Sequence, residues 1–117
     1  MKNCIFCQII NRERPATIRY EDEDIIAIKP LKESAKGHTL VIPKKHAENL
    51  FDIPEHDMQK LAVVAKRLAK QLVDEHHATG INLLHATGAD AQQSVFHLHF
   101  HLVPRHPNDG LQLWIKE

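Results

Sequence analysis

The chain has no excess charge of either sign. Of its 117 residues, 15 are lysine or arginine and 15 are aspartate or glutamate, so the net charge is zero when the histidines are neutral. Proteins that bind nucleic acid through its phosphates carry a basic surface, and this balance argues against nucleic acid as a partner. The length fits one domain over residues 1–117, since domains commonly span about 100–200 residues.

Long hydrophobic runs are also missing. No segment approaches the ~20 apolar residues that span a bilayer, and the N-terminal residues do not form the apolar stretch of a secretory signal. We therefore expect no membrane partner and a cytoplasmic location. The sequence contains no internal repeat, no low-complexity tract and no linker rich in proline, glycine or serine. This pattern predicts one module.

Cysteine is scarce, with only Cys4 and Cys7 in a C-x-x-C spacing. A disulfide between them would close a very small loop and would not persist in a reducing compartment. The spacing suits a metal site or a redox pair, although no βαβ pattern typical of thioredoxin surrounds it. Two unrelated thiols near the terminus are the plain alternative.

The hydrophobic pattern predicts an α+β protein. Apolar residues recur at helical spacing over 5–10 and again from Met58 to Leu72, where Asp52 is a candidate N-cap of a long helix that ends before Gly80. Strands that follow one another without intervening helices indicate an antiparallel sheet of about five strands, beside one long helix and a short N-terminal helix. The strand-like runs lie at 17–20, 25–28, 38–42, 81–84 and 95–103, the first two joined by an acidic turn.

Histidine, in contrast, is abundant, with ten residues in the chain. Three of them, His97, His99 and His101, alternate with apolar residues in one predicted strand. Because alternate residues of a strand share a face, the three imidazoles project to one side, roughly 6.6 Å apart from neighbour to neighbour. Such imidazoles can bind a metal in adjacent pairs, or divide the roles of nucleophile, orienting group and electrostatic contact. A merely polar, solvent-facing side of the strand is the alternative.

The run from His97 to His101, with Gln93-Ser94 before it and G-H-x-L-V-I-P-K at 37–44, resembles the histidine triad superfamily, and in particular its nucleotide-binding branch. The order of the predicted elements matches that family over nearly the whole chain. The resemblance implies a nucleotidyl hydrolase or transferase that acts on an α-phosphate bonded to nitrogen, oxygen or another phosphate, through a covalent nucleotidyl-histidine. It also implies a homodimer in which the sheets of the two subunits continue into one another.

The resemblance gives each matching histidine a role. His99 matches the nucleophile, and imidazole is a good nucleophile near neutral pH. The backbone carbonyl of His97 orients its ring, His101 contacts the phosphate, and His38 supports the cluster by hydrogen bonding. His85 belongs to none of these roles, and on its own predicted strand it either approaches the pocket or faces solvent.

Around the expected ligand, two residues match and three depart. Ser94 matches the hydroxyl that assists the leaving group, and Gln93 lies in the same turn, where its amide can contact a phosphoryl oxygen. Pro30 stands where nucleotide-binding relatives carry an acidic residue for the ribose hydroxyls, Ala86 where they carry a polar amide, and Gln92 where they carry glycine. The departures indicate phosphoryl chemistry with altered nucleoside recognition; the alternative is a non-catalytic scaffold of the same fold that binds a nucleotide or another phosphorylated small molecule.

The resemblance also implies a structural zinc site. Bacterial members of the family hold zinc with an N-terminal C-x-x-C, a histidine after V-I-P-K-x and the first histidine of the triad, which here are Cys4, Cys7, His46 and His97. A Cys₂His₂ set suits tetrahedral zinc and would tie the short N-terminal helix to the sheet. A protein that handles metal through exchangeable thiols and imidazoles is a third possible function, but it leaves the Gln-Ser pair before the triad without a purpose.

Overall fold

The computed structural model describes residues 3–116. Their strands form one antiparallel sheet in the order β1-β2-β3-β5-β4. The predicted α+β class, with a five-stranded antiparallel sheet, a long helix and a short N-terminal helix, is confirmed; continuation of the sheet across a dimer stays a prediction. The elements are α1 (Ile5–Ile10), β1 (Ile18–Glu21), β2 (Ile25–Ile28), β3 (Thr39–Pro43), α2 (Glu55–His76), β4 (Gly80–Leu84), a 3₁₀ turn (Ala89–Ala91) and β5 (Phe100–Arg105).

The acidic segment between β1 and β2 forms the turn of the predicted hairpin. Asp22 accepts hydrogen bonds from the backbone N–H groups of Asp24 and Ile25, each at 2.8 Å. A carboxylate that binds nearby backbone N–H groups in this way is typical of a turn. Asp22, Glu23 and Asp24 therefore form the hairpin connection, while Glu21, which the sequence placed in the turn, is the last residue of β1.

The sheet has two apolar faces because successive residues of a strand point to opposite sides. In β2, Ile25 and Ala27 belong to the core beneath α2, whereas Ile26 and Ile28 belong to a second core with α1. Both helices are therefore needed to cover the sheet. α1 packs on one face and α2 on the other.

α2 buries one stripe of its surface against the sheet, as its apolar spacing predicts. Leu61 is completely buried, and Val64, Leu68 and Leu72 are each no more than 6% exposed. Burial of such side chains contributes about 1.5–3 kcal/mol each, so this stripe fixes the helix to the sheet. Within 3–116, neither helix is long and apolar enough to cross a membrane.

The predicted N-cap of α2 is wrong. The helix begins at Glu55 after Pro54, whose side chain makes no capping hydrogen bond. Asp52 instead accepts hydrogen bonds from the backbone N–H groups of Glu48 and Asn49, so its carboxylate closes the preceding turn. At the other end, the helix stops at a left-handed His77 before the β4 strand. The Asp52 carboxylate therefore binds the N–H groups of the preceding turn rather than those at the start of α2.

The strand predicted over 95–103 also begins later than expected, because β5 starts after His99. The preceding segment is held by other bonds: Leu98 N–H donates to the carbonyl of Ala47 at 2.7 Å, and the ring of His97 donates to the carbonyl of Pro43. The predicted alternation nevertheless persists, since Leu98 lies in the core beneath α2. The first two histidines of the triad therefore precede the strand.

Candidate active site and metal centre

Pairing of β3 with β5 brings histidines from distant parts of the chain together. Leu40 lies opposite His101 in the register, and His38 stands just before β3. Nε2 of His38 is 2.9 Å from Nδ1 of His101, and the ring centroids of His99 and His101 are 5.0 Å apart. The structure thus places the predicted His38, His99 and His101 in one cluster.

The ring of His99 has its tautomer set by its neighbour. Nδ1 lies 2.9 Å from the backbone carbonyl oxygen of His97. Because a carbonyl can only accept, Nδ1 carries the hydrogen and Nε2 keeps its lone pair. His99 is only 7% exposed, and this burial lowers the pKa of its ring, which is therefore neutral at pH 7. A neutral imidazole with an unprotonated Nε2 is the nucleophilic form.

A second chain of hydrogen bonds sets the tautomer of His101. The backbone N–H of Ser34 donates to Nδ1 of His38 at 3.0 Å, so the hydrogen of neutral His38 is on Nε2 and is donated to Nδ1 of His101. Burial lowers the pKa of His101 to about 4 and also lowers the pKa of His38. Neutral His101 therefore carries its hydrogen on Nε2, where it can be donated to an anion.

Arg19 supports this chain from β1. Its guanidinium donates to the carbonyl of His38 and to Oγ1 of Thr39, both at 2.8 Å, and to the carboxylate of Glu33 at 3.0 Å. The contacts tie the loop between β2 and β3 to the residues that open β3. Sequence reasoning missed Arg19, because a single arginine in a hairpin strand has no distinguishing pattern.

α1 forms one wall of the cluster through Phe6. The ring of Phe6 packs edge-on against His97 and His99, with centroid distances of 5.7 and 5.2 Å. Phe6 is 4% exposed. A shift of α1 would therefore change the packing around the His99 ring.

Ser94 and Gln93 have different surroundings. Ser94 is exposed and lines a groove of about 690 Å³ together with Glu48 and Val95. Gln93 is buried, and its amide accepts from Gly88 N–H at 2.8 Å and donates to the carbonyls of Glu48 and Val95 at 2.7 and 3.1 Å. Both N–H groups of that amide are thus used within the protein, so direct donation to a phosphate requires breaking one of these bonds.

Four side chains form a compact set of possible metal ligands. One ligand atom from each of Cys4, Cys7, His46 and His97 lies within 4.8 Å of all the others. The closest approaches are 3.0 Å between Nδ1 of His46 and Nδ1 of His97, and 3.2 Å between Sγ of Cys4 and Nδ1 of His97. Ligands of a tetrahedral zinc ion are separated by about 3.5 Å. The set therefore fits one ion.

The tautomer of His97 suits this role. Its Nε2 lies 2.8 Å from the carbonyl oxygen of Pro43, so Nε2 donates and Nδ1 turns its lone pair toward the two thiols. Burial lowers the pKa of His97 to about 4, which keeps the ring neutral. A hydrogen bond from the remote ring nitrogen to a backbone carbonyl is the usual support of a metal-bound histidine.

The positions that depart from the family pattern lie in the loops around the histidines. Pro30 follows β2 and Ala86 follows β4, both half-buried. Gln92 has a φ of 71°, in the left-handed region. Glycine adopts that conformation without steric cost, which gives a physical reason for glycine in the relatives and for backbone strain here.

His85, for which the sequence left two placements open, lies against the site. Its Nδ1 is 3.2 Å from the carbonyl oxygen of His99. Sequence reasoning also missed the backbone groups of Pro43 and Ser34 that set the tautomers. Backbone groups carry no side-chain signature, so no pattern in the sequence could have named them.

Comparison with known proteins gives the family. The HIT domain family matches residues 11–108. A HIT-like protein of Borreliella burgdorferi is 42% identical over 112 residues, which cover 94% of this chain and 81% of the relative. Adenosine 5'-monophosphoramidase HNT1 of Saccharomyces cerevisiae is 39% identical over 102 residues, which cover 87% of this chain and 62% of the yeast protein.

A solved structure agrees with the match in sequence. The crystal structure of a Zn-bound histidine triad family protein from Mycobacterium smegmatis has a TM-score of 0.91 with this chain at 38% identity, over 98% of this chain and 84% of that one. The matched region contains the G-H-x-L-V-I-P-K strand and the triad. The chain therefore belongs to the histidine triad (HIT) family.

Proposed function

We propose that this protein is a nucleotidyl hydrolase or transferase that cleaves nucleoside phosphoramidates or related nucleotide phosphoanhydrides through a covalent intermediate on His99. The observation that carries the proposal is the locked ring of His99, whose Nδ1 donates to the carbonyl of His97 at 2.9 Å and whose Nε2 is unprotonated. The similarity to the yeast protein named adenosine 5'-monophosphoramidase supports the phosphoramidate class of substrate.

In the proposed first step, Nε2 of His99 attacks the α-phosphorus and the bond from phosphorus to the leaving amine breaks. The amine departs with a proton that the hydroxyl of Ser94 relays from water. His99 is now bonded to phosphorus through Nε2 and keeps its hydrogen on Nδ1, so the ring is cationic. The carbonyl of His97 faces that Nδ1–H and favours the cation, while Nε2–H of His101 donates to a phosphoryl oxygen.

In the second step, water attacks the same phosphorus, its proton passes to the hydroxide that the first step left in the solvent, and the bond to Nε2 breaks. The electron pair returns to Nε2 of His99, and a nucleoside monophosphate is released. His38 keeps the hydrogen of His101 on Nε2 throughout, because it donates to Nδ1. Gln93 acts in this proposal by direct contact with a phosphoryl oxygen only after one of the two hydrogen bonds that its amide donates to backbone carbonyls has opened.

We further propose that the metal is zinc, held by Cys4, Cys7, His46 and His97. The donor set is Cys₂His₂, the spacing of the ligand atoms fits a tetrahedral ion, and a similar family member was crystallised with zinc. Zinc there would anchor α1 to the residues before β5. We propose a cytoplasmic location, where both thiols would stay reduced and available to the metal.

We also propose a homodimer with a continuous sheet. β4 is an edge strand in the order of the sheet, and Leu83 on it is 54% exposed. An edge strand offers backbone hydrogen-bonding groups to a second chain. A symmetric pairing of two β4 edges would use them and cover Leu83.

A non-catalytic scaffold that binds a nucleotide or another phosphorylated small molecule is the second candidate. In its favour, the family resemblance places Pro30 and Ala86 at positions where relatives carry polar residues that contact the nucleoside. A proline side chain cannot accept hydrogen bonds from ribose hydroxyls. Such a scaffold would bind its ligand mainly through the phosphate group and would not turn it over.

Steady-state hydrolysis of adenosine phosphoramidate separates the two candidates. We expect turnover by the natural protein, and a loss of about a thousandfold in His99→Ala. His56→Ala, which removes an exposed histidine of α2, is the matched control and should be fully active. A natural protein that binds adenosine monophosphate but hydrolyses no phosphoramidate or phosphoanhydride would favour the scaffold.

A further inference from the structure

His85 is the first residue beyond β4, and its side chain extends the contact between β4 and the triad segment. The ladder between β4 and β5 ends with Leu84 opposite His101. Because β5 begins after His99, the peptide group of His99 lies outside this ladder. The ring of His85 reaches it instead, with Nδ1 3.2 Å from the carbonyl oxygen of His99.

The orientation of the His85 ring is fixed by further contacts. Its Nε2 lies 2.6 Å from Oγ1 of Thr87, and the backbone N–H of Leu50 donates to the same Oγ1 at 3.0 Å. The ring also packs edge-on against Phe100, with centroids 5.7 Å apart. These contacts come from three different segments of the chain.

For the neutral ring, one arrangement of hydrogens satisfies all of these bonds. The carbonyl of His99 can only accept, so Nδ1 of His85 carries the hydrogen. Nε2 of the neutral ring then accepts, and the hydroxyl of Thr87 must donate to it. The hydroxyl thus selects the tautomer that lets His85 hold the main chain of His99.

We propose that His85 is a positioning residue for His99 and that Thr87 holds His85 in the required tautomer. This inference rests on the proposed function, in which His99 is the nucleophile. His99 is then held at two points, by its own Nδ1–H on the carbonyl of His97 and by its carbonyl on His85. A displacement of about 1 Å at a reacting group can cost about a hundredfold in rate, so this second point of support matters for an irregular segment.

Matched substitutions test the role of each hydrogen bond. In His85→Asn the amide nitrogen takes the place of Nδ1 and keeps the donor, whereas His85→Leu removes it. Thr87→Ser keeps the hydroxyl, whereas Thr87→Val removes it. We expect His85→Leu and Thr87→Val to lower kcat for adenosine phosphoramidate about 10- to 100-fold with little change in KM, and His85→Asn and Thr87→Ser to stay within about threefold of the natural protein.

The double variant His85→Leu/Thr87→Val should be no slower than His85→Leu, because both changes break the same chain of bonds. Thermal unfolding of every variant shows which losses reflect instability. Three results would overturn the inference: natural kcat in His85→Leu at an unchanged melting temperature, an effect on KM alone, or a His85→Asn variant as slow as His85→Leu.

An NMR measurement tests the same link without turnover. We expect the Nδ1–H proton of His99 to be visible in the natural protein and in His85→Asn, and to exchange much faster with solvent in His85→Leu. Equal exchange in all three proteins would overturn the role of His85. Absence of both phosphoramidate and phosphoanhydride hydrolysis in the natural protein would instead refute the proposed function, and the NMR comparison would still decide whether His85 positions His99.

Discussion

The carbonyl oxygen of His97 lies 2.9 Å from Nδ1 of His99, while the ring of the same His97 belongs to the set of possible metal ligands. One residue therefore serves the metal centre with its side chain and the candidate nucleophile with its main chain. Phe6, between the two cysteines in sequence, adds a second link because its ring packs against both histidines. Changes at the metal centre should reach His99 by these two routes.

We predict that the purified protein contains one zinc ion per chain and that Cys7→Ser lowers this content strongly. Cys7 is buried beside His46 and His97. Burial raises the pKa of its thiol, so the thiolate form needs a bound cation to stabilise it. Elemental analysis of protein purified without chelator measures the metal. Thermal unfolding should show a lower melting temperature in the variant.

Ser34→Ala is a suitable control for the metal measurement, because Ser34 contributes its backbone N–H rather than its side chain to His38. Its metal content should equal that of the natural protein. Absence of zinc from natural protein with intact thiols would contradict the assignment of Cys4, Cys7, His46 and His97.

We predict that the free energy of unfolding falls as the pH is lowered from about 6.5 to about 4. The pKa of His101 in the folded protein is about 4, held down by burial and then by the nearby His99, His38 and His85. The unfolded chain, with an ordinary pKa of about 6.5, binds the proton first, and one such proton gives a slope of about 1.4 kcal/mol per pH unit at most. Above pH 6.5 His101 is neutral in both the folded and the unfolded chain, so it no longer makes the free energy of unfolding depend on pH.

Chemical denaturation at a series of pH values measures this slope, and His101→Asn isolates the contribution of one ring. The variant should lose stability less steeply than the natural protein between pH 6.5 and 4, and equally above that range. Parallel curves across the acidic range would show that His101 is not buried in its neutral form.

We predict that Leu61→Ala lowers the free energy of unfolding by about 2–5 kcal/mol. Leu61 lies on the sheet-facing side of α2 and is completely buried, so its truncation leaves a cavity in the core. Val63→Ala, on the same helix at a position 46% exposed, is the matched control and should change stability by less than about 1 kcal/mol. Equal effects in urea denaturation would contradict the described packing of α2.

We predict that Gly37→Ala destabilises the protein by more than about 1 kcal/mol. Gly37 has a φ of +89°, and a Cβ there would lie 2.6 Å from Cδ2 of His76. Gly80→Ala is the control, since a Cβ at that position meets nothing within 4 Å. Differential scanning calorimetry should give a clearly lower melting temperature for the first variant only.

The sequence predicts the fold well where periodicity is strong. The α2 stripe around Leu61, the hairpin of β1 and β2, and the antiparallel sheet of about five strands all follow from apolar spacing, turn composition and the succession of strands without intervening helices. The element boundaries were less accurate, because Asp52 closes a local turn and the segment holding His97 makes hydrogen bonds outside the ladder. The spacing of apolar residues carries no information about which local hydrogen bonds these polar groups form.

The residues of the candidate site could be named from the sequence, but their chemistry could not. The resemblance to the histidine triad family identifies His99 as the candidate nucleophile and Cys4, Cys7, His46 and His97 as candidate metal ligands. The tautomers depend on backbone partners such as Ser34 and Pro43, which only the folded chain brings near. The place of His85 depends on where β4 ends relative to β5, and that register is a tertiary property.

Intact-protein mass spectrometry after incubation with adenosine phosphoramidate tests the central claim most directly, provided that the reaction is quenched without acid. We predict a mass increase of one adenylyl group in the natural protein and in His56→Ala, and none in His99→Ala. Peptide mapping should place the group on His99. Turnover that survives His99→Ala, or an adduct on another residue, would contradict the account.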